Sequence, residues 1–231
     1  MEATRSRRYI ISFMKSLLLL ALVLFSTFAI AEEDWIYLNR DEKVNRFHID
    51  AKGNLLLDGQ IVAGFELQKT ADRIAISPVS PDGKYSVVMS FGDQDSQTSL
   101  LQYDRRTAVL IALQGTPTVW QSWSPDGSFL LLASYTESQN SLYSIPLATI
   151  QPKQVPVQLQ KQGERTELVT TTVNWTAPDT FEMEATIHCA AGVEGCDSRA
   201  EERVLRAYKL IVNAGSLQVA SEEQPLPEQE M

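Results

Sequence analysis

The 231-residue sequence predicts an all-β fold made of repeated four-stranded antiparallel units. Three observations carry that expectation. The tetrapeptide Ser-Pro-Asp-Gly occurs at Ser80-Pro81-Asp82-Gly83 and again at Ser124-Pro125-Asp126-Gly127, 44 residues later. Each copy sits between apolar or β-branched runs, as a tight turn inside a hairpin does. The polar and apolar runs around both copies follow one order. A recurrence at this period marks propeller blades, in which four strands take about 40–45 residues.

The first 31 residues stand apart from this pattern. Arg5, Arg7, Arg8 and Lys15 form a basic start, and residues 17–28 are almost unbroken apolar. Ala29-Ile30-Ala31 places small residues at both positions a signal peptidase reads. The expectation is a signal peptide cleaved after Ala31, with Met14 as an alternative start, and no membrane span after cleavage. The apolar stretch is shorter than the roughly 20 residues a span requires.

Residues 34–68 are read as four short strands, at 35–38, 46–49, 54–57 and 61–67, with turns at Lys52-Gly53-Asn54 and Asp58-Gly59-Gln60. A second unit follows with strands at 72–77, 84–91, 99–103 and 107–113. The third repeats the plan at 118–123, 128–134, 141–145 and 153–159. The fourth is degenerate. Its first strand, 170–175, ends on Trp175 as the previous one ends on Trp123, and Pro178-Asp179-Thr180 replaces Pro-Asp-Gly. Strands at 181–187, 203–212 and 216–220 complete it, with a helical turn possible over 199–205. One domain over residues 32–221 results, followed by an acidic, aperiodic stretch, 222–231, expected to be a disordered tail. Four units are the lower limit for a closed ring, so an incomplete array is the alternative.

The repeated residues resemble a known family at this point. The order strand, Ser-Pro-Asp-Gly, apolar strand, polar loop is similar to the WD40-like PD40 repeat of TolB-like β-propellers. Residues 74–91 and 122–134 carry the likeness, and 174–187 carry it without the turn glycine. The resemblance implies a propeller and protein partners in the cell envelope. It transfers no partner-contacting residue.

The turn chemistry can be read without the family. Pro81 and Pro125 pre-set φ near −65°, Gly83 and Gly127 tolerate positive φ, and Asp82 and Asp126 can accept turn N–H groups. These aspartates, with Ser80, Ser124, Pro178 and Asp179, are therefore expected to be structural and not catalytic. Trp120, Trp123 and Trp175 fall on first strands; Trp120 is the candidate for a binding surface, the other two for packing between units.

Charge and cysteine narrow the function. Removing residues 1–31 leaves 16 of 20 basic and 28 of 29 acidic residues, a net charge of about −12. Such a surface repels phosphate backbones, which excludes nucleic acid as the expected partner. The two cysteines, Cys189 and Cys196, form an even pair in an exported chain and are expected to make a disulfide. Closing that loop contributes roughly 2.5 kcal/mol on chain-entropy grounds. A metal site from His188, Cys189, Cys196 and Asp197 would need a second short ligand pair. The loop at 93–97 alternates oxygen side chains but lacks the glycine and acidic residue of a calcium loop. No Gly-x-Ser-x-Gly elbow or phosphate-binding loop is present, and no cofactor is expected. Asn174-Trp175-Thr176 is a glycosylation sequon on an expected inner strand. The reading is an exported, periplasmic or secreted scaffold that binds an envelope protein. The alternatives are a propeller hydrolase acting on a glycan or lactone, and a subunit that completes a larger oligomeric propeller.

Overall fold

The computed structural model describes residues 35–92, 96–111, 113, 118–135, 140–189 and 204–226. The expected signal segment with Ala29 and Ala31, Cys196, and most of the expected loops at 93–97 and 136–140 lie outside the described residues. All described residues belong to the unit Trp35–Met231. Among them the regular structure is β throughout, and no helix is long and apolar enough to cross a membrane.

β1 (Ile36–Asn39) precedes a small sheet of β2 (Lys43–Val44), β3 (Phe47–Ile49), β4 (Leu55–Leu57) and β5 (Gln60–Ile61). Asp58 and Gly59 both have positive φ, 52° and 78°, which matches the right-handed twist of a two-residue hairpin turn. The second sheet holds β6 (Ala71–Ile76), β7 (Tyr85–Gly92), β8 (Gln97–Gln102) and β9 (Thr107–Ile111). The third holds β10 (Thr118–Trp123), β11 (Phe129–Tyr135), β12 (Asn140–Pro146) and β13 (Lys153–Gln154). The fourth holds β14 (Glu164–Ala177), β15 (Thr180–Cys189), β16 (Val204–Asn213) and β17 (Gln218–Gln224). Within each of these sets of four, the strands form an antiparallel meander in chain order.

The period-two rule assigns each core. On β11, Leu130 and Leu132 face the second sheet with Val87, Met89 and Leu100, while Leu131 and Ala133 face the fourth with Phe181, Met183 and Leu210. Val88, Leu101 and Ala108 of the second sheet meet Phe47, Ile49, Leu55 and Leu57 of the small sheet. Three apolar layers thus join four sheets in sequence order, the stacking of propeller blades. Among the described residues no fourth apolar layer joins the last sheet to the first.

Several sequence expectations are corrected. The strand expected at 35–38 does not open the small sheet. As β1 it pairs with β6, Ile36 opposite Ile76 and Leu38 opposite Ile74, which makes the second sheet five-stranded. Leu38 gains a fully buried site there. The strand at 61–67 ends at Ile61, because Ala63 leaves the small sheet to bridge Thr107, and Gly64 (φ 78°) then turns the chain away. The strand at 153–159 shrinks to two residues; Val155 still donates to Leu142, and Pro156 then has no N–H for the ladder. The strand at 170–175 instead begins at Glu164, after Gly163 (φ 81°), and bulges between Val169 and Asn174. Residues 222–224, expected in a tail, belong to β17, where Glu222 lies opposite Lys209. Val204 and Leu205 are strand, not helical turn.

Candidate functional site

The two Ser-Pro-Asp-Gly turns share one hydrogen-bond design. In the first, the Ser80 hydroxyl donates to Asp82 Oδ1 at 2.7 Å and accepts the Tyr85 N–H at 2.9 Å. In the second, Ser124 donates to Asp126 Oδ1 at 2.8 Å and accepts the Phe129 N–H at 2.9 Å. Gly83 and Gly127 each donate their N–H to the carbonyl of the turn serine. Both serines are buried, and each hydroxyl satisfies the N–H of a half-buried residue at the strand entry. The glycines adopt φ of 75° and 69°, a region closed to most side chains.

The carboxylates are held ionised. Burial acts to raise the Asp82 pKa, but hydrogen bonds from Ser80 and Lys84 outweigh it and hold the carboxyl below its ordinary value. The Ser128 hydroxyl and N–H, with the Ser124 hydroxyl, hold Asp126 low in the same way. Both shifts run opposite to what a general acid needs at neutral pH. The geometry suits a turn anchor.

The turns also meet in space. A Cβ on Gly127 would stand 3.0 Å from Asp82 Cγ, so the second turn packs directly on the carboxylate of the first. The third turn is built differently. Ala177 stands opposite Thr180 and supplies no hydroxyl, so Pro178 and Asp179 form a short hairpin turn instead of the Ser-bracketed loop. The Asp179 carbonyl accepts the Ala214 N–H at 2.6 Å, and the Ala214 carbonyl accepts the Ser144 hydroxyl at 3.1 Å. Gly215 lies 3.6 Å (as a Cβ position) from Phe129 Cζ, which ties this rim of the fourth sheet to the third.

The tryptophans lie on first strands, as expected from sequence. Trp123 packs in the core between the second and third sheets. Trp175 packs in the next core, tilted on Phe181 with ring centroids 5.3 Å apart, and its indole N–H donates to Ser122 Oγ at 2.9 Å across the sheets. Trp120 is half-buried against the same core.

Cys189 ends β15 and is not free, while its expected partner Cys196 lies outside the described residues. His188 beside it is buried. Its Nε2 is 3.0 Å from Thr186 Oγ1 and 3.2 Å from Glu167 Oε2. Burial lowers the His188 pKa; Glu167 acts against that, and Arg165 adds to it. Among the described residues no three His, Cys, Asp or Glu side chains converge as metal ligands.

The groove beside β9 was not anticipated from sequence. It measures about 590 Å³ and lies between residues 64–70 and the side chains of Gln97, Ser99 and Leu110. Ala63 adds to the outer edge of β9 as a single parallel bridge with Thr107. Gly64 then leaves the edge; any Cβ there would meet the Ala108 carbonyl oxygen at 2.5 Å. The far wall is pinned, since Arg40 donates to the Gln68 and Ala71 carbonyls and Leu67 donates to Gly53. One sequence signal could have pointed here, the Gly64 that interrupts an apolar run; the 55% exposure of Leu110 shows only in the structure.

With fold and sites in place, the class is plain: an all-β repeat protein whose four sheets stack as propeller blades. No protein-family model matches the chain, and no curated protein matches it. Among solved structures it is similar to TolB from Acinetobacter baumannii, at 15% identity and a TM-score of 0.36 over 81% of this chain and 52% of that one. It is similar to Porphyromonas gingivalis dipeptidyl peptidase 4, at 10% identity and a TM-score of 0.49 over 83% and 33%. It is also similar to Pyrococcus horikoshii acylaminoacyl peptidase, at 11% identity and 0.41 over 65% and 25%. The chain therefore spans about half of that TolB and a third or less of the peptidases.

Proposed function

We propose that this protein is an exported, non-catalytic binding scaffold of the cell envelope, built on PD40-type repeats. The observation that carries this reading is the state of the repeated carboxylates. Asp82 and Asp126 are ionised, saturated with hydrogen bonds and used to lock turns, which leaves them no proton to give. A groove of about 590 Å³ lined by Glu66, Gln68, Lys69, Gln97 and Ser99 offers polar side chains to a partner. A basic, apolar start ending in Ala29-Ile30-Ala31 supports export, and the net acidity supports a protein partner over a nucleic acid. In an oxidising compartment Cys189 and Cys196 pair and staple the end of β15.

The test is affinity capture from envelope extract with the purified protein, run beside a turnover panel of glycans, lactones and esters. A specific partner with no turnover is the expected result. Turnover of any panel member without capture of a partner overturns the reading in favour of a hydrolase.

A further inference from the structure

Asp-Gly occurs three times in the chain, at Asp58-Gly59, Asp82-Gly83 and Asp126-Gly127. This dipeptide can react with itself. The glycine nitrogen, unhindered by any Cβ, bonds to the aspartate Cγ. The C–OH bond of the protonated carboxyl breaks, and the hydroxyl leaves with the amide proton as water. A second water then opens the five-membered succinimide at either carbonyl. One product is the original aspartate; the other is isoaspartate, in which the side-chain methylene has entered the backbone. The step needs a glycine N–H that is not tied down and a carboxyl that can take a proton and swing.

The two Ser-Pro-Asp-Gly turns withhold both. The Gly83 and Gly127 N–H groups donate to the Ser80 and Ser124 carbonyls at 2.8 and 2.9 Å. Asp82 Oδ1 accepts from the Ser80 hydroxyl and the Lys84 N–H, and Asp126 Oδ1 accepts from the hydroxyls of Ser124 and Ser128. Ser80 and Ser124 are buried, so each clamp is anchored inside the fold. The degenerate turn is consistent with this pairing of clamp and labile bond. Ala177-Pro178-Asp179-Thr180 lacks the serine and lacks the glycine as well.

Asp58-Gly59 is built otherwise. It is the two-residue turn between β4 and β5 and has no serine. The Gly59 N–H has no hydrogen-bond acceptor among the described residues, and a Cβ there would meet nothing within 4 Å. The carboxylate accepts from Arg46, Nε to Oδ1 at 3.2 Å and Nη2 to Oδ2, with Arg106 adding a second positive charge. The Arg46 and Asp58 side chains are 54% and 44% exposed, so salt screens the pair.

We infer that Asp58-Gly59 is a site of spontaneous backbone modification in the folded protein, forming isoaspartate ahead of Asp82-Gly83 and Asp126-Gly127, whose turns are closed to the reaction. The added backbone atom lengthens the turn that sets Leu57 opposite Gln60 and Leu56 opposite Ile61, so modification loosens β5. The inference is independent of the scaffold reading.

The test is to incubate the folded protein at body temperature in mildly acidic buffer, digest it and locate isoaspartate by mass spectrometry. Asp58 is expected to convert at least about tenfold faster than the other two, since a turn that must first open by about 1.4 kcal/mol reacts about tenfold more slowly. In the chain held unfolded in guanidinium chloride the three rates draw together. High salt speeds Asp58 and leaves the clamped pairs unchanged, and Arg46→Ala does the same. Ser80→Ala speeds Asp82. Equal rates in the folded protein, or Asp82 or Asp126 ahead, overturn the inference. The same order in the unfolded chain also overturns it, because the difference then belongs to local sequence. The comparison within wild type and the salt response hold even if a variant does not fold.

Discussion

Gly83 and Gly127 occupy equivalent turns with equivalent φ, yet only Gly127 touches a neighbour. Substitution by alanine should cost each turn about 1 kcal/mol for the left-handed conformation. Gly127→Ala must also displace the Asp82 side chain, so its urea midpoint should fall further than that of Gly83→Ala. In a double-mutant cycle, Asp82→Ala should recover that excess, and strict additivity would refute packing of turn on turn. Ser124→Ala leaves the half-buried Phe129 N–H without its acceptor and should lower stability by about 1 kcal/mol or more, measured by denaturant unfolding. The aspartates add a pH signature. Their folded pKa values lie below the ordinary value near 3.9, so the stability they contribute is complete above that pH and is lost as pH falls through the lower folded values. The part of the unfolding midpoint that these two carboxylates set should hold down to about pH 4 and drop below it, so the drop below pH 4 should be less steep in Asp82→Asn.

At the scale of a strand, β15 shows how an element carries two environments. Phe181, Met183, Ala185 and Ile187 are buried, and Glu182 and Glu184 alternate with them toward solvent. The alternation breaks at its end, where His188 is buried directly after Ile187. Because burial lowers the His188 pKa, the folded protein favours the neutral ring. The stability tied to that preference is present above the unfolded value near 6.5 and declines as pH falls below it. Protection of the amides at the end of β15, taken relative to the intrinsic exchange rate at each pH, should therefore fall as pH drops below about 6.5, and His188→Gln should flatten the dependence. An unchanged pH response in His188→Gln would assign the effect to other groups. Trp175→Phe tests the neighbouring strand. It keeps the ring in the core but deletes the bond to Ser122, for an expected loss of about 0.5–1.5 kcal/mol.

For the whole molecule, stability follows from sheets that each contact only their chain neighbours. Leu131 and Leu132 are adjacent, fully buried and committed to different cores. Alanine at either should cost about 2–5 kcal/mol, yet the consequences should separate in space. Leu131→Ala should loosen exchange protection mainly in the third and fourth sheets, and Leu132→Ala mainly in the second and third. Equal loosening everywhere would mean one cooperative core instead of three layers. The same neighbour-to-neighbour plan explains why β1 leaves its expected unit: the second sheet offers Ile36 and Leu38 a deep apolar partner, whereas the small sheet has strands of only two or three residues.

Much of this architecture was legible in local chemistry. The Ser-Pro-Asp-Gly repeats announced two turns whose serine, aspartate and glycine do the work their side chains and φ preferences imply, and the alternating runs located most strands within a residue or two. Trp123 and Trp175 were legible as packing residues for the same reason: large rings on inner strands bury area. Tertiary structure alone decided the rest. The partner of β1, the contact of Gly127 with Asp82 and the truncation of the strand after Ile61 depend on residues distant along the chain, which local propensity does not encode. The groove beside β9 exists because Gly64 can lie against the Ala108 carbonyl and then depart. A glycine's freedom is visible in any sequence, but the direction in which it is used is set by the surface it meets.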